Sequence, residues 1–179
     1  VTFSSNSRAI FAVGRRAAQR WEAAYGPTTG DSLTLQAGLF PVDRNLLPGS
    51  IAFSPDRKSV FIGGRRRTAT IRNLEPENEQ DYPSGIIRRI KLEQGYPLSG
   101  AYSPDGKTLA IGTSEATVEL WDLSDVSPKN WKKTRTLSGH PGEVLVVEFS
   151  PNGTGEYGQG KYLASADDQG VIQIFNRQT

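Results

Sequence analysis

The sequence repeats one short block four times, with a period close to 50 residues. Each block opens on an aromatic residue followed by Ser and by turn-forming residues, and successive aromatics are 50, 49 and 47 residues apart. Pro pre-sets φ, Asp and Asn bond their own backbone, and Gly accepts positive φ, so each block predicts a turn between two strands. The blocks are Phe3-Ser4-Ser5-Asn6, Phe53-Ser54-Pro55-Asp56, Tyr102-Ser103-Pro104-Asp105-Gly106 and Phe149-Ser150-Pro151-Asn152-Gly153.

Two further strands are predicted in each repeat. The strand after the block is short and apolar, as at Thr108-Leu109-Ala110-Ile111, and the next one alternates, as at Val118-Glu119-Leu120-Trp121-Asp122. Short apolar runs and period-two alternation are both typical of strands. A fourth strand is plausible near residues 33–35, 86–92 and 135–137, and none follows the last repeat. The chain is therefore predicted to be all-β.

Composition excludes several classes of site. The 179 residues contain no Cys, which excludes a disulfide framework, thiol catalysis and a Cys-ligated zinc or iron–sulfur centre. No apolar run approaches the roughly 20 residues that span a bilayer. The chain also lacks Met, including at position 1, so we expect it to be a piece of a longer protein.

Two short motifs give the repeats a family resemblance. Leu120-Trp121-Asp122 ends a strand and Gly139-His140 precedes the last repeat, and in both respects the chain resembles WD-repeat β-propellers. The resemblance covers essentially the whole chain and implies four-stranded antiparallel blades around a central channel. It predicts a partial ring of about four blades, with missing blades supplied from elsewhere. The expected blades are residues 1–40, 50–93, 98–138 and 143–179, the last without its outer strand.

The resemblance also gives His140 a structural role. In similar proteins this histidine bonds an Asp in the turn between the second and third strands, and a Ser or Thr and the Trp of the third strand complete the network. The candidates are His140, Ser165 and Asp168 or Gln169, with Phe175 in the place of the Trp. Trp121 and Asp122 are assigned to the same type of structural network.

No catalytic residue, metal site or cofactor is predicted. A single histidine is taken to exclude both a multi-histidine metal site and a histidine-dependent triad. Asp167-Asp168 is read as a turn and not as an acid/base pair, because adjacent residues do not converge on one reacting centre. Gly63-Gly64 lacks the flanking pattern of a phosphate-binding loop.

Arginines cluster in the connection between the second and third strands, here called the second turn. Arg15 and Arg16 occupy it in the first repeat, and Arg65 to Arg67 in the second. In the last two repeats the same turn contains Ser114-Glu115 and Asp167-Asp168, so this face is predicted to be positive on one side and negative on the other. The charges either keep the surface solvated or form a patch for an acidic peptide, a phosphorylated segment, an anionic lipid headgroup or nucleic acid. Nucleic acid is the least supported, because aromatics do not alternate with the basic residues.

Trp131 lies in a polar insert that follows the third strand, at the end of the blades opposite the arginines. It either anchors a partner or packs on its own blade, since Trp is common at binding hot spots.

These features predict a non-catalytic scaffold for protein–protein interaction inside the cell, cytoplasmic or nuclear. Its partners would be acidic or phosphorylated, bound by Arg15, Arg16, Arg65, Arg66 and Arg67 together with Trp131. The alternative is a structural module that completes a larger propeller or tethers an effector domain.

Overall fold

A computed structural model describes residues 2–3, 9–13, 17–24, 32–41, 50–64, 66–74, 85–151 and 160–177. Fifteen strands in these ranges form four antiparallel sheets, here called blades one to four. Strands that are consecutive in sequence are neighbours in each sheet. The prediction of an all-β chain built of propeller-type blades is confirmed.

The strands of the first two blades each form a four-stranded sheet. They are β1 (Thr2–Phe3), β2 (Ala9–Val13), β3 (Ala17–Ala24), β4 (Ser32–Pro41), β5 (Ile51–Phe53), β6 (Ser59–Ile62), β7 (Thr68–Asn73) and β8 (Ile86–Lys91).

Blade three has four strands and blade four has three among the described residues. They are β9 (Pro97–Tyr102), β10 (Thr108–Thr113), β11 (Val118–Asp122), β12 (Lys132–Leu137), β13 (Val144–Phe149), β14 (Tyr162–Asp167) and β15 (Ile172–Asn176). A single 3-10 turn, Pro128–Asn130, lies between β11 and β12.

The first strands of three blades lie side by side. β9 contacts β5 on one side and β13 on the other, so blades two, three and four fan out from their first strands. Among the strands that the structure describes, blades two to four form an arc of an incomplete ring, as the family resemblance implies.

The aromatic–serine block forms the same hydrogen-bonded turn in blades two and three. The Ser54 hydroxyl donates to Asp56 and accepts the N–H of Ser59 at 2.9 Å. Asp56 also accepts the N–H of Lys58 at 3.0 Å. Ser103 and Asp105 repeat these bonds in blade three with the same distances to the backbone N–H groups. The repeated residues are therefore those that satisfy the backbone of the turn.

The core lies between the blades, and its side-chain volumes are complementary. Phe61 on β6 projects from blade two towards β9, where its ring fills the space that a Cβ on Gly100 would need. At the next junction the sizes are exchanged, because Ala110 of blade three packs in one cluster with Val147 of blade four. Ala110 occupies the position of Phe61, and Val147 that of Gly100. Close packing between blades thus requires a large side chain on one strand to face a small residue on the neighbouring blade.

Gly100→Ala is expected to lower the free energy of unfolding by about 1–3 kcal/mol, because the new methyl group overlaps the Phe61 ring. Urea unfolding followed by circular dichroism measures the change. Ala164→Val, which adds bulk at an exposed strand position, should change it by less than about 0.5 kcal/mol. Equal stability of the Gly100→Ala protein and the parent would contradict this packing.

Candidate functional site

A buried polar network joins the segment before β13 to β14. Nδ1 of His140 lies 3.0 Å from Oδ2 of Asp167, and Nε2 lies 2.6 Å from Oγ of Ser165. All three residues are buried. A neutral imidazole with its proton on Nδ1 donates to the carboxylate and accepts the serine hydroxyl, which satisfies both ring nitrogens.

The carboxylate in this network belongs to Asp167, one residue before the predicted Asp168. Side chains two apart on a strand share a face, so Ser165 and Asp167 both turn towards His140. Asp168 begins the following turn and is exposed. The Gln169 side chain donates to the backbone oxygen of Pro141 at 3.1 Å. The prediction of Asp168 or Gln169 as the partner of His140 is therefore wrong, and the period-two pattern of β14 is the signal that identifies Asp167.

Asp167 also fixes the second turn of blade four. Its Oδ1 accepts the N–H groups of Gln169 at 3.0 Å and of Val171 at 2.8 Å. Burial by itself would raise the pKa of this carboxyl, but the bonds from Val171, His140 and Gln169 outweigh burial and hold the pKa below its ordinary value. Asp167 is therefore an ionised hydrogen-bond acceptor at neutral pH.

The order of bonding is that of a Ser-His-Asp triad, from Ser165 through His140 to Asp167. The prediction that a single histidine excludes such an arrangement is therefore wrong. Burial does prevent it from acting on a substrate, because Ser165 is only 2% exposed and His140 only 7%. The network is suited to holding β13 and β14 together.

Trp121 and Asp122 lie in blade three and do not contact His140. Nε1 of Trp121 donates to Oε2 of the buried Glu119 at 3.0 Å, and Nζ of Lys133 lies 3.4 Å from the other oxygen of Glu119. Asp122 accepts the N–H of Ser124 at 2.9 Å. Blade three thus contains its own polar cluster centred on Glu119, which no motif in the sequence indicates.

Two of the five predicted face arginines lie in described parts of the chain. Arg66 and Arg67 are exposed in the second turn of blade two, and a guanidinium nitrogen of Arg67 donates to the backbone oxygen of Glu93. Arg15, Arg16 and Arg65 lie outside the described residues.

The equivalent turns in blades three and four expose Glu115 and Asp168. Asp167 is predicted on this surface but is buried beneath it. The described part of the face thus has cations on blade two and carboxylates on the next two blades.

Trp131 is half-buried and packs against the core between blades two and three. Its Nε1 donates to the backbone oxygen of Asp125 at 2.9 Å. Of the two predicted placements, the structure has the side chain packed against the blades, where part of its surface lines a groove between blades two and three.

Within the described ranges, no three His, Cys, Asp or Glu side chains are grouped closely enough to hold a metal ion. In the same ranges, no helix has the length and apolar character needed to cross a membrane.

Asp167→Asn is expected to reduce stability at neutral pH and to flatten its dependence on acid. The folded-state pKa of Asp167 is depressed, so its stabilisation is present above the ordinary carboxyl pKa of about 4 and is lost as the pH falls further. Urea unfolding at about pH 7 and about pH 3 measures both effects.

Asp168→Asn is the matched control, because the neighbouring carboxylate is exposed and does not bond His140. It should keep the acid dependence of the parent chain. An Asp167→Asn protein with that same dependence would rule out the assigned role.

Comparison with known proteins agrees with the fold. Residues 131–176 match the family model described as WD domain, G-beta repeat. The matched segment begins at Trp131 and covers β12 together with β13 to β15, which is the outer strand of one blade followed by the three inner strands of the next. One sequence repeat therefore spans two blades.

Three relatives match over most of the chain. A WD repeat-containing protein SL1-17 of Schistosoma mansoni is 31% identical over 71% of the chain, and Protein HIRA of Caenorhabditis elegans is 34% identical over 67%. A guanine nucleotide-binding protein subunit beta of Oryza sativa subsp. indica is 24% identical over 72%. The matches span 36%, 14% and 44% of these relatives. With its four propeller-type sheets, this chain belongs to the WD-repeat family.

Proposed function

We propose that this chain is a non-catalytic scaffold that docks acidic or phosphorylated segments of protein partners on the face bearing Arg15, Arg16, Arg65, Arg66 and Arg67. WD-repeat proteins generally bind protein partners, and the finer assignment rests on charge. The observation that carries it is the exposure of Arg66 and Arg67 together in one second turn.

The backbone of this turn is anchored. The N–H of Gly63 donates to the backbone oxygen of Ser50 and that of Gly64 to Pro97, both at 2.7 Å. Arg66 donates its own N–H to Gly64 at 2.8 Å. A fixed turn lowers the entropic cost of binding, and guanidinium groups pair bidentately with carboxylate and phosphate. These features support a protein segment with negative charge as the partner.

The proposal includes an intracellular location, cytoplasmic or nuclear. It is supported by the rice relative, which is named as a subunit of a guanine nucleotide-binding protein, because guanine nucleotides are intracellular compounds.

Replacing both Arg66 and Arg67 by Glu is expected to weaken binding of acidic or phosphorylated peptides about tenfold or more, through loss of attraction and added repulsion. Fluorescence anisotropy with phosphorylated and unphosphorylated forms of the same peptides measures it. The affinity of the parent chain should fall with added salt.

The matched control is Lys132→Glu with Arg135→Glu, two exposed cations on the outer strand of blade three. The control reverses the same amount of charge away from the face and should retain binding. If both double variants bound every peptide equally well, the arginine face would be the wrong surface.

A second candidate function is a structural module that completes a larger propeller. Ile172 and Ile174 on β15 are 70% and 71% exposed. The equivalent residues of blade three, Val118 and Leu120, are 0% and 4% exposed because blade four covers them. An apolar sheet face of this kind favours coverage by another sheet.

If this second candidate holds, the parent chain should associate as its concentration rises, and Ile172→Lys with Ile174→Lys should reduce that association. Size-exclusion chromatography with light scattering measures the mass. Thr134→Lys with Thr136→Lys adds the same charge at exposed positions of β12 and should associate like the parent. A parent chain that stays monomeric at all concentrations would count against an interface that forms between copies of this face.

A further inference from the structure

A groove of about 820 Å³ separates blades two and three at the end opposite the arginine face. Asp56, Lys58 and Ser59 line it from the aromatic–serine turn of blade two, and Tyr102 and Trp131 line it from blade three. Because strands alternate in direction, this turn and the connection between third and fourth strands share one end of the blades.

The next junction, between blades three and four, shows how such a groove is filled from within the chain. Arg177, directly after β15, reaches across to blade three, where its Nη2 lies 3.0 Å from Oδ2 of Asp105. Its guanidinium carbon also lies 6.0 Å from the centre of the Phe149 ring. The cation is thus held by one carboxylate and one aromatic face.

The groove between blades two and three has the same framework without this cation. Asp56 takes the place of Asp105 in the repeated turn, and Tyr102 takes that of Phe149 at the end of the first strand. The position of Arg177 is occupied by Leu123, whose side chain is buried in the core. Carboxylate and aromatic ring are therefore both present, and the chain supplies no guanidinium between them at this position.

Tyr102 lines this groove beside Asp56 and Ser59. Its hydroxyl oxygen is shielded from solvent and lies beside the Ser59 hydroxyl. Burial, aided by the nearby Asp56 carboxylate and opposed by the Ser59 hydroxyl, raises the pKa of this phenol, so it remains a neutral hydroxyl. The ring therefore offers a guanidinium an uncharged aromatic face, as the Phe149 ring does for Arg177.

We propose that this groove binds the side chain of an arginine in a segment of a protein partner. The guanidinium pairs with Asp56 and lies against the Tyr102 ring. Ile87 and Trp131 line the groove and contact the aliphatic part of the side chain. A planar guanidinium combines stacking with several donors, which an ammonium does not. Lys58 is exposed at the rim and opposes further positive charge in the ligand.

The test is a nuclear magnetic resonance titration of the whole ¹⁵N-labelled chain with N-acetyl-arginine amide. The probe should shift the indole N–H signal of Trp131 saturably, with a dissociation constant of the order of 1 mM. N-acetyl-citrulline amide, which is neutral and of similar shape, should shift it little. Equal responses to the two probes, or none to either, would overturn the proposal, as would equal affinity for N-acetyl-lysine amide.

Asp56→Asn should weaken binding of the arginine probe at least about fivefold, because the amide oxygen can still accept the N–H of Lys58 while the charge is lost. The matched control is Asp168→Asn, which removes a carboxylate on blade four at the end of the blades opposite the groove, and it should bind like the parent. Tyr102→Phe keeps the aromatic ring and should bind like the parent. Unchanged affinity of the Asp56→Asn protein would contradict the assignment.

Arg177→Ala tests separately whether a carboxylate and an aromatic ring in this arrangement bind arginine. Removing this side chain frees Asp105 and the Phe149 ring, and it should create a second arginine site. Amide signals around Asp105 should then respond to the probe while the Trp131 shift persists. Absence of the new response would show that a carboxylate and an aromatic ring in this arrangement do not suffice. Charge reversal of Arg66 and Arg67 should leave this titration unchanged, since they lie at the opposite end.

Discussion

The burial of one blade against the next is the interaction on which the structure depends. A lone sheet of three or four strands cannot cover its apolar faces, whereas stacked repeats bury them in a continuous core. Phe61 against Gly100 and Ala110 beside Val147 show that the contact is maintained by exchanging volumes between facing positions. The aligned first strands then bring equivalent turns of successive blades to the same end of the molecule.

Equivalent positions in different blades satisfy their polar groups in different ways. Blade four has a polar pair at Ser165 and Asp167, which His140 satisfies completely. In blade three the same positions are Ile111 and Thr113, and the threonine bonds the backbone oxygen of Thr117. Ile111 packs in the apolar core where blade four has Ser165, and Thr113 makes a local hydrogen bond where blade four has Asp167. A polar group survives in the core only where the fold supplies its partners.

The two ends of the blades differ in charge because their turns differ in what their backbones require. Second turns lie at the surface and tolerate arginine or carboxylate, so one end carries cations on blade two and anions on blades three and four. At the other end, carboxylates recur because the aromatic–serine turn needs an acceptor for its backbone N–H groups. Asp105 already pairs with Arg177, while Asp56 faces the groove. Asp56, which the turn needs as an acceptor for its backbone N–H groups, is therefore also available to bind a ligand.

The sequence by itself determined the strands, the turns and the class of fold, because turn chemistry and period-two alternation are local properties that repeat along the chain. It also brought His140 and Ser165 into one candidate set, through the family resemblance. The identity of the carboxylate depended on which side of β14 each Asp occupies, a difference of one residue that reverses the face. The groove beside Tyr102 was decided by tertiary structure alone, since Asp56 and Trp131 are far apart in sequence and meet only when two blades pack.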